Sequence, residues 1–370
     1  YLHAFGTVQL VPASIPVSPK TVMWLASCSK LVTSVAVLQC LERGLFALDS
    51  TTDVERLLPE WGNRQIITGF ENGQAQLRPA EEKFTLRRLL THSSGMCYDF
   101  IPPVSSWKES CGGQSEALSA EDFDAYQHPL AFEPGTGFSY GTGVDLAGLM
   151  VARANGCTLE EYMREHIFDP LGMGDTTFRL RSRADLVERL MPMTSRLPDG
   201  SLSNEDSHPY AMDAREDFGG KGLFGTAEDY LKLLKSLARD DGRLLKSETI
   251  EMMFEPALSP SSQAKLDGLL STDQFAAIAI GGGERALKED GSSNWSHGLV
   301  SLIGLSDSPK GFKGPWLRWG GAPNLKWWID RKGGSCGIYA TQLNPPGDSR
   351  NQPLADLFQE EMARRFKKEA

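Results

Sequence analysis

A serine followed three residues later by a lysine occurs at Ser27–Lys30, Ser105–Lys108 and Ser262–Lys265 of this 370-residue chain. On a helix the two side chains share a face, and an uncharged amine there can take the proton of a nucleophilic hydroxyl. The same spacing also describes an ordinary serine beside a solvated lysine, so spacing alone leaves both readings open. Context separates the copies. Ser105 in "PPVSSWKESCGG" and Ser262 in "PSSQAKLDG" lie in polar stretches bearing proline or glycine, which assigns both to the solvated surface. Ser27 lies in the apolar run "WLASCSKLVT". There the stem of Lys30 either packs while its ammonium reaches water, or desolvation favours the uncharged amine and makes it a base.

A nucleophile needs rigid elements to aim it. Leu31, Val35, Leu38 and Leu41 recur at helical spacing after Ser27, and Gly44 follows, which predicts a buried amphipathic helix with a glycine stop. Ser27 then sits at the helix start, whose positive end favours an alkoxide or oxyanion. Thr85, Thr158 with Glu161, and Thr226 with Asp229 mark three further helix starts by capping. Ser139–Gly143 is a glycine-rich turn feeding the helix "VDLAGLMVARANG", stopped at Asn155–Gly156. The first twenty residues read as strand and loop. "LVSLIGL", "LKWWIDR" and "SCGIYATQL" read as neighbouring strands of an antiparallel sheet. In the closing helix "PLADLFQEEMARRFKKEA", Leu354, Leu357, Phe358 and Met362 form an apolar stripe expected to lie on that sheet. Residues 103–117, 196–208 and 284–294 read as loops.

Strands at both ends with helices between them predict an α+β arrangement, a sheet assembled from distant parts of the chain with a helical insertion. Residues 1–50 and 215–370 are expected to make a discontinuous α/β sheet domain and residues 51–214 a mainly helical one, with the site in the cleft between them.

Composition excludes several classes of function. A net charge of −10 with scattered Lys and Arg argues against nucleic acid as a partner. No run approaches the ~18 apolar residues of a membrane span. Six dispersed cysteines without a CxxC pair read as reduced thiols of a cytoplasmic, intracellular protein. The six histidines show no HExxH and no pairing at helical spacing, so neither a metal nor another cofactor is expected.

Beyond Ser27, "FTLRRLLTHSSGM", "FEPGTGFSYGTGVDLAGLMV", "LEEYMREHIFDPLGMGDTTF" and "GGKGLFGTAEDYLKLL" follow in order. With the Ser27 segment they resemble the serine β-lactamase and penicillin-binding-protein superfamily, in its class C branch, over nearly the whole chain. The resemblance implies that fold, an antiparallel sheet flanked by helices with a mostly helical insertion. It also implies roles: Ser27 as nucleophile, Lys30 as activating base, Tyr140 as proton shuttle, and the backbone amides of Ser27 and Ala322 as oxyanion hole. Thr142 stands where the family's Tyr-x-Asn element has asparagine. Trp319, Gly320 and Gly321 stand where it has Lys-Thr-Gly, and Ala322 follows. Glycine here also fits a bulge or bend. In the family the nucleophile follows a longer N-terminal portion with a helix and the first sheet strand. Ser27 comes early by comparison, and a sheet lacking that strand should expose an edge.

Tryptophan and glycine supply neither the cation nor the hydroxyl that hold a β-lactam carboxylate, which favours an uncharged, hydrophobic substrate. This version is similar to bacterial esterases and to the fungal branch acting on polyketide esters, lovastatin acyltransferases among them. The implied chemistry is acyl transfer from a small ester or thioester, with an acyl carrier protein as a further possible donor, to water or to a metabolite hydroxyl. Thr142, His297, Trp319, Gly320 and Gly321 are the expected substrate contacts, and His92 is expected to structure a turn. The competing readings are a β-lactamase or D-Ala-D-Ala peptidase, and a scaffold that retains the fold as a binding module.

Overall fold

The computed structural model describes residues 1–366 apart from 206 and 213, so the last four residues of the expected closing helix lie outside the described residues. Helices α1 (Ser29–Glu42), α2 (Gly143–Asn155) and α3 (Ala227–Arg239) share the main core with one face of a five-stranded sheet, whereas α4 (Pro260–Leu270) and α5 (Gln352–Arg365) pack in a second core on its other face. The strands are β1 (Trp295–His297), β2 (Leu302–Gly304), β3 (Trp316–Gly321), β4 (Leu325–Asp330) and β5 (Ser335–Tyr339).

The strands lie in the order β5-β4-β3-β2-β1, every neighbouring pair antiparallel. The interior strand β4 shows why the sheet is covered on both faces. All six of its residues are buried. Leu325, Trp327 and Ile329 enter the main core, whereas Trp328 points the other way, into a second core with Trp295, Trp316 and Met362. Side chains alternate across a strand, so a run apolar on both faces has to be sandwiched.

This sheet comes from one contiguous stretch of chain, not from distant parts as expected. "LVSLIGL" and "LKWWIDR" are not neighbours either, because β3 runs between them. The N-terminal strand residues Met23–Trp24 pair instead with Phe224–Gly225. Residues 1–20 hold only an isolated bridge, Thr7 to Pro16. Pro12, Pro16 and Pro19 remove ladder donors there. β5 is one of the sheet's two edge strands, and a groove of about 1220 Å³ lies against it, lined by Tyr1, Phe5, Leu354 and Leu357 among others.

α1 is more enclosed than an amphipathic surface helix. Residues 29–38 are all buried, polar and apolar alike, as befits a helix running through the centre of a core. The main core continues from α1 and α2 to the inner face of the sheet without a break. Capping sets the other helices as the residues predict: Thr85, Thr158 and Thr226 each accept an amide of the first turn, and Gly156 closes α2 at φ +66°.

Four local expectations are corrected. The stretch 103–117 contains a helix, Val104–Ser110, anchored by buried Val104. The stretch 196–208 contains strand Leu202–Asn204, paired with Thr194–Arg196. Ser262 is fully buried on α4, clustered with Ser259 on the Gly135 carbonyl, because helix formation turns it inward from its polar neighbours. On α5 the inward face is Ala355, Gln359, Met362 and Ala363, while Leu354 and Leu357 are exposed beside the groove. No helix among the described residues is long and apolar enough to cross a membrane.

Candidate active site

Ser27 sits where a strand becomes a helix. Trp24 is held from both sides of its backbone by Gln342, whose Oε1 accepts its N–H at 3.0 Å and whose Nε2 donates to its carbonyl at 3.1 Å. The Leu25 amide donates to Leu223. The chain then turns sharply at Ala26, a non-glycine residue at φ +47°. A single 3₁₀ turn, Ala26–Cys28, leads into α1. The Ser29 hydroxyl donates to the Ala26 carbonyl at 2.6 Å, and the Tyr230 hydroxyl to the Cys28 carbonyl at 2.9 Å. Left-handed backbone at a residue bearing Cβ costs energy and persists only where its surroundings over-determine it. Here those bonds do so, and they aim the half-buried Ser27 side chain.

Two of the expected partners converge on Ser27 Oγ. The Tyr140 hydroxyl donates to it at 2.6 Å, and Lys30 Nζ at 3.3 Å. Lys30 is only 3% exposed, and its nitrogen also donates to the Gly220 carbonyl at 2.7 Å and the Tyr98 hydroxyl at 3.1 Å. It lies 4.6 Å from the Tyr140 ring centre. The position of Tyr140 depends on the glycine beside it. A Cβ on Gly141 would fall 2.2 Å from the Met96 carbonyl oxygen, so only glycine lets the loop come this close.

The opposite wall is the end of β3. A Cβ on Gly321 would lie 2.6 Å from the Leu25 carbonyl oxygen, which is the close approach the glycine pair allows. This brings β3 against the backbone just before Ser27, and Ala322 follows in the turn to β4. The Trp319 ring lies 5.3 Å from that of Tyr140. Behind them His92 meets the Tyr140 ring edge-on at 4.8 Å, and His297 lies 5.3 Å from His92 and 5.7 Å from Trp319.

His297 is buried, with Nδ1 donating to the Gly298 carbonyl at 2.7 Å. Burial pushes its pKa down to about 4 and that of His92 well below the usual histidine range, so both rings are neutral near pH 7. His92 does shape a turn, at φ +57°, and also belongs to this wall. Thr142 does not reach the cleft. It has no exposed surface, and its hydroxyl has no partner among the described residues. The neighbouring Gly143 packs so tightly on Leu89 that a Cβ would lie 2.4 Å from the Leu89 carbonyl oxygen, which carries Thr142 inward.

Sequence reasoning missed three residues. Tyr98, in "GMCYDF", is buried against Lys30, and burial raises its pKa far enough to keep it a phenol. Asp145, on α2, is fully buried. Its Oδ1 accepts the Gly220 N–H at 2.7 Å, and burial raises its pKa against the opposing pull of Lys30 and Lys221. Lys221 is buried behind it. The available signals were a carboxylate inside the apolar run "VDLAGLMV" and a lysine between glycines in "GGKG". Cys28, next to the nucleophile, stays a thiol because burial drives its pKa up. Among the described residues no cluster of three His, Cys, Asp or Glu side chains is placed to hold a metal. The large groove at β5 involves none of the residues gathered around Ser27.

The chain as a whole is similar to known proteins. The chain is 38% identical over 349 residues to the monacolin J acid methylbutanoyltransferase of Aspergillus terreus, covering 93% of this chain and 82% of that one. It is 36% identical over 342 residues to the lovastatin esterase of Penicillium rubens, covering 91% and 83%. Among solved structures, the LovD6 mutant of simvastatin synthase from Aspergillus terreus superposes with a TM-score of 0.88 at 35% identity, covering 99% of this chain and 89% of that one. The Beta-lactamase family model matches residues 1–360, and the chain belongs to that family.

Proposed function

We propose that the protein is a serine-dependent acyl-transfer enzyme that forms an acyl-Ser27 intermediate with a small hydrophobic ester or thioester. The observation that carries this reading is the convergence of the Tyr140 hydroxyl and Lys30 Nζ on one serine oxygen, at 2.6 and 3.3 Å. The names of the similar fungal proteins, one a methylbutanoyltransferase and one an esterase, support it.

In the first half-reaction, Ser27 gives its proton to the Lys30–Tyr140 pair as Oγ bonds to the substrate carbonyl carbon. The carbonyl oxygen becomes an oxyanion held by the Ser27 and Ala322 amides, each worth roughly 3–4 kcal/mol where such donors have been removed. The intermediate collapses, the bond to the leaving alcohol or thiol breaks, and Tyr140 returns the proton to that group. In the second half-reaction the acceptor O–H gives its proton to the same pair as its oxygen bonds to the acyl carbon, and the pair returns that proton to Ser27 Oγ as the acyl–Ser27 bond breaks. Water as acceptor makes the enzyme an esterase, and a metabolite hydroxyl makes it an acyltransferase. A thioester on an acyl carrier protein fits the donor side as a small thioester does. Trp319 and its aromatic neighbours favour an uncharged acyl or acceptor body, since β3 offers no cation or hydroxyl where a β-lactam carboxylate would bind. Trp319 lines the cleft in this reading, with buried His297 packed behind it and Gly320 and Gly321 permitting close backbone approach.

The test is intact mass spectrometry after mixing with p-nitrophenyl butyrate. A butyryl adduct mapped to Ser27, absent in Ser27→Ala and discharged faster when a hydroxyl acceptor is added, is the expected result. Turnover of nitrocefin without turnover of the ester overturns the assignment in favour of a β-lactamase, and no adduct with either leaves a binding scaffold.

A further inference from the structure

The aromatic surface beside Ser27 extends past the residues that handle the proton. Tyr98, buried against Lys30, donates its amide to the Tyr140 carbonyl at 3.3 Å, and the two rings lie 5.3 Å apart. The Tyr98 carbonyl accepts the Ile101 amide at 2.9 Å, which closes a turn with Asp99 and Phe100 at its corners. The corners face opposite ways. Asp99 is 3% exposed, and its carboxylate accepts from the Ser115 hydroxyl at 2.5 Å, from Lys108 Nζ at 2.8 Å, and from the Glu116 and Ala117 amides at 2.7 and 3.3 Å. Phe100 is 49% exposed, yet its ring is stacked on that of Tyr98, with 5.1 Å between centres and 10° between planes. A buried carboxylate on one side and a stacked ring on the other thus hold an apolar face out to solvent, one ring removed from Lys30. The charges behind the turn are paired with one another, Lys108 with Asp99 and Glu116 at 2.8 Å each, so the face offers nothing to a charged group.

We propose that Phe100 is a specificity-determining residue: its ring takes the uncharged, ring-bearing body of the alcohol, as leaving group and as acceptor. The inference rests on the acyl-transfer reading above. In that reading the oxyanion turns to the Ser27 and Ala322 amides, beside β3, whereas the alcohol oxygen exchanges its proton with Tyr140 and so lies at the Tyr140 hydroxyl. Of the rings around Tyr140, Trp319 stands on β3 and His92 is buried behind. Tyr98 takes the remaining flank, its hydroxyl occupied by Lys30 at 3.1 Å, and Phe100 lies outside it. A flat apolar alcohol laid on Phe100 continues the stack that Tyr98 begins and covers a face otherwise left in water. Phe100 handles no proton, so it sorts alcohols by the area they lay on it.

The experiment compares kcat/KM in the whole protein and in Phe100→Ala for two pairs of esters. One pair keeps the butyryl group and varies the alcohol, 2-naphthyl against ethyl. The other keeps p-nitrophenol and varies the acyl group, butyryl against octanoyl. kcat/KM reports the steps through acylation, in which the alcohol is still attached. The preference for 2-naphthyl over ethyl butyrate should fall about five- to tenfold in Phe100→Ala and return in Phe100→Tyr, which restores the ring. The acyl preference should stay where it was. The difference in leaving ability between the two alcohols cancels when one variant's ratio is divided by another's. An alcohol preference that does not move, or an acyl preference that shifts along with it, overturns the proposal. Each ratio comes from one preparation and does not depend on how much of it is folded, and Phe100→Gln provides a second ringless variant. Failure of the acyl-transfer reading is a separate result: the unsubstituted protein would then show no Ser27-dependent turnover of any of these esters.

Discussion

Asp145 and Lys30 meet at one residue, Gly220, each bonded to one of its two backbone polar groups. The Gly220 N–H donates to Asp145 Oδ1 at 2.7 Å, and the Gly220 carbonyl accepts from Lys30 Nζ at 2.7 Å. A Cβ at residue 220 would fall 2.5 Å from Asp145 Oδ2, so this bridge requires glycine. The two bonds pin the Gly220 backbone to Asp145 and Lys30 to that backbone, which fixes the reach of Lys30 to Ser27. Asp145→Asn keeps the shape and one acceptor but removes the charge that two buried lysines face. The variant disturbs the buried junction at Gly220, so the midpoint of thermal unfolding should fall. The rate with p-nitrophenyl butyrate should fall at least about tenfold. A variant with the unsubstituted protein's rate and melting temperature would show that the bridge has no consequence.

Tyr140 and Tyr98 make a controlled comparison, since both phenols lie beside Lys30 but only Tyr140 is bonded to Ser27. Tyr140→Phe removes the proton carrier and should lower kcat by about 10²–10⁴-fold, with KM changing far less. Tyr98→Phe removes one acceptor of Lys30 and should cost about tenfold at most, in line with one hydrogen bond to a charged group. Steady-state kinetics on both variants decides the assignment, and equal losses would contradict it.

How much of this was legible beforehand follows from the range of the forces involved. Capping at Thr158 and Thr226 is settled within four residues, and the spacing from Ser27 to Lys30 within one turn, so both can be read from the chain. Tyr140 entered through resemblance, since no local pattern ties residue 140 to residue 27. Tyr98, Asp145 and Lys221 escaped notice because each acquires its role from burial beside partners on other elements. Asp145 reads as a helix-surface carboxylate until α2 is packed against the Gly219–Gly222 turn. The inward face of α5 was misjudged for a related reason: Gln359 is fully buried while Leu357 is 62% exposed, which residue polarity cannot foretell. Pairing of Met23–Trp24 with Phe224–Gly225 spans two hundred residues and leaves no trace in either dipeptide.

Gly321 tests the wall opposite Tyr140. Gly321→Ala adds a carbon 2.6 Å from the Leu25 carbonyl oxygen, where backbone has to give way. β3 should move off the Ser27 turn, spoiling the alignment of the Ala322 amide. The expected cost is about 10²–10³-fold in kcat, the loss seen when one oxyanion donor is removed. Overpacking should also destabilise the protein by about 1–3 kcal/mol in urea unfolding. Gly69, whose added carbon would meet nothing, provides the control, and Gly69→Ala should leave the rate unchanged.

His297 gives the protein an acid liability with a definite sign. In the unfolded chain it takes a proton near pH 6.5, whereas in the folded protein burial holds its pKa at about 4. Between these values the unfolded state binds more protons than the native one, so stability falls as pH drops from about 6.5 to about 4 and is independent of His297 above that window. A difference of this size corresponds to roughly 3 kcal/mol when the window has been fully crossed. Urea unfolding at pH 7, 6, 5 and 4 measures it in the unsubstituted protein and in His297→Gln, whose side chain does not titrate. The variant should begin less stable at pH 7, through loss of the bond to the Gly298 carbonyl and of ring packing against Phe138 and Trp319. Its stability should then decline less steeply with acid, so that the gap between the two proteins narrows towards pH 4. Parallel curves would mean that His297 takes up its proton in the folded protein as readily as in the unfolded one, and that the wall behind Tyr140 is wetter than its burial implies.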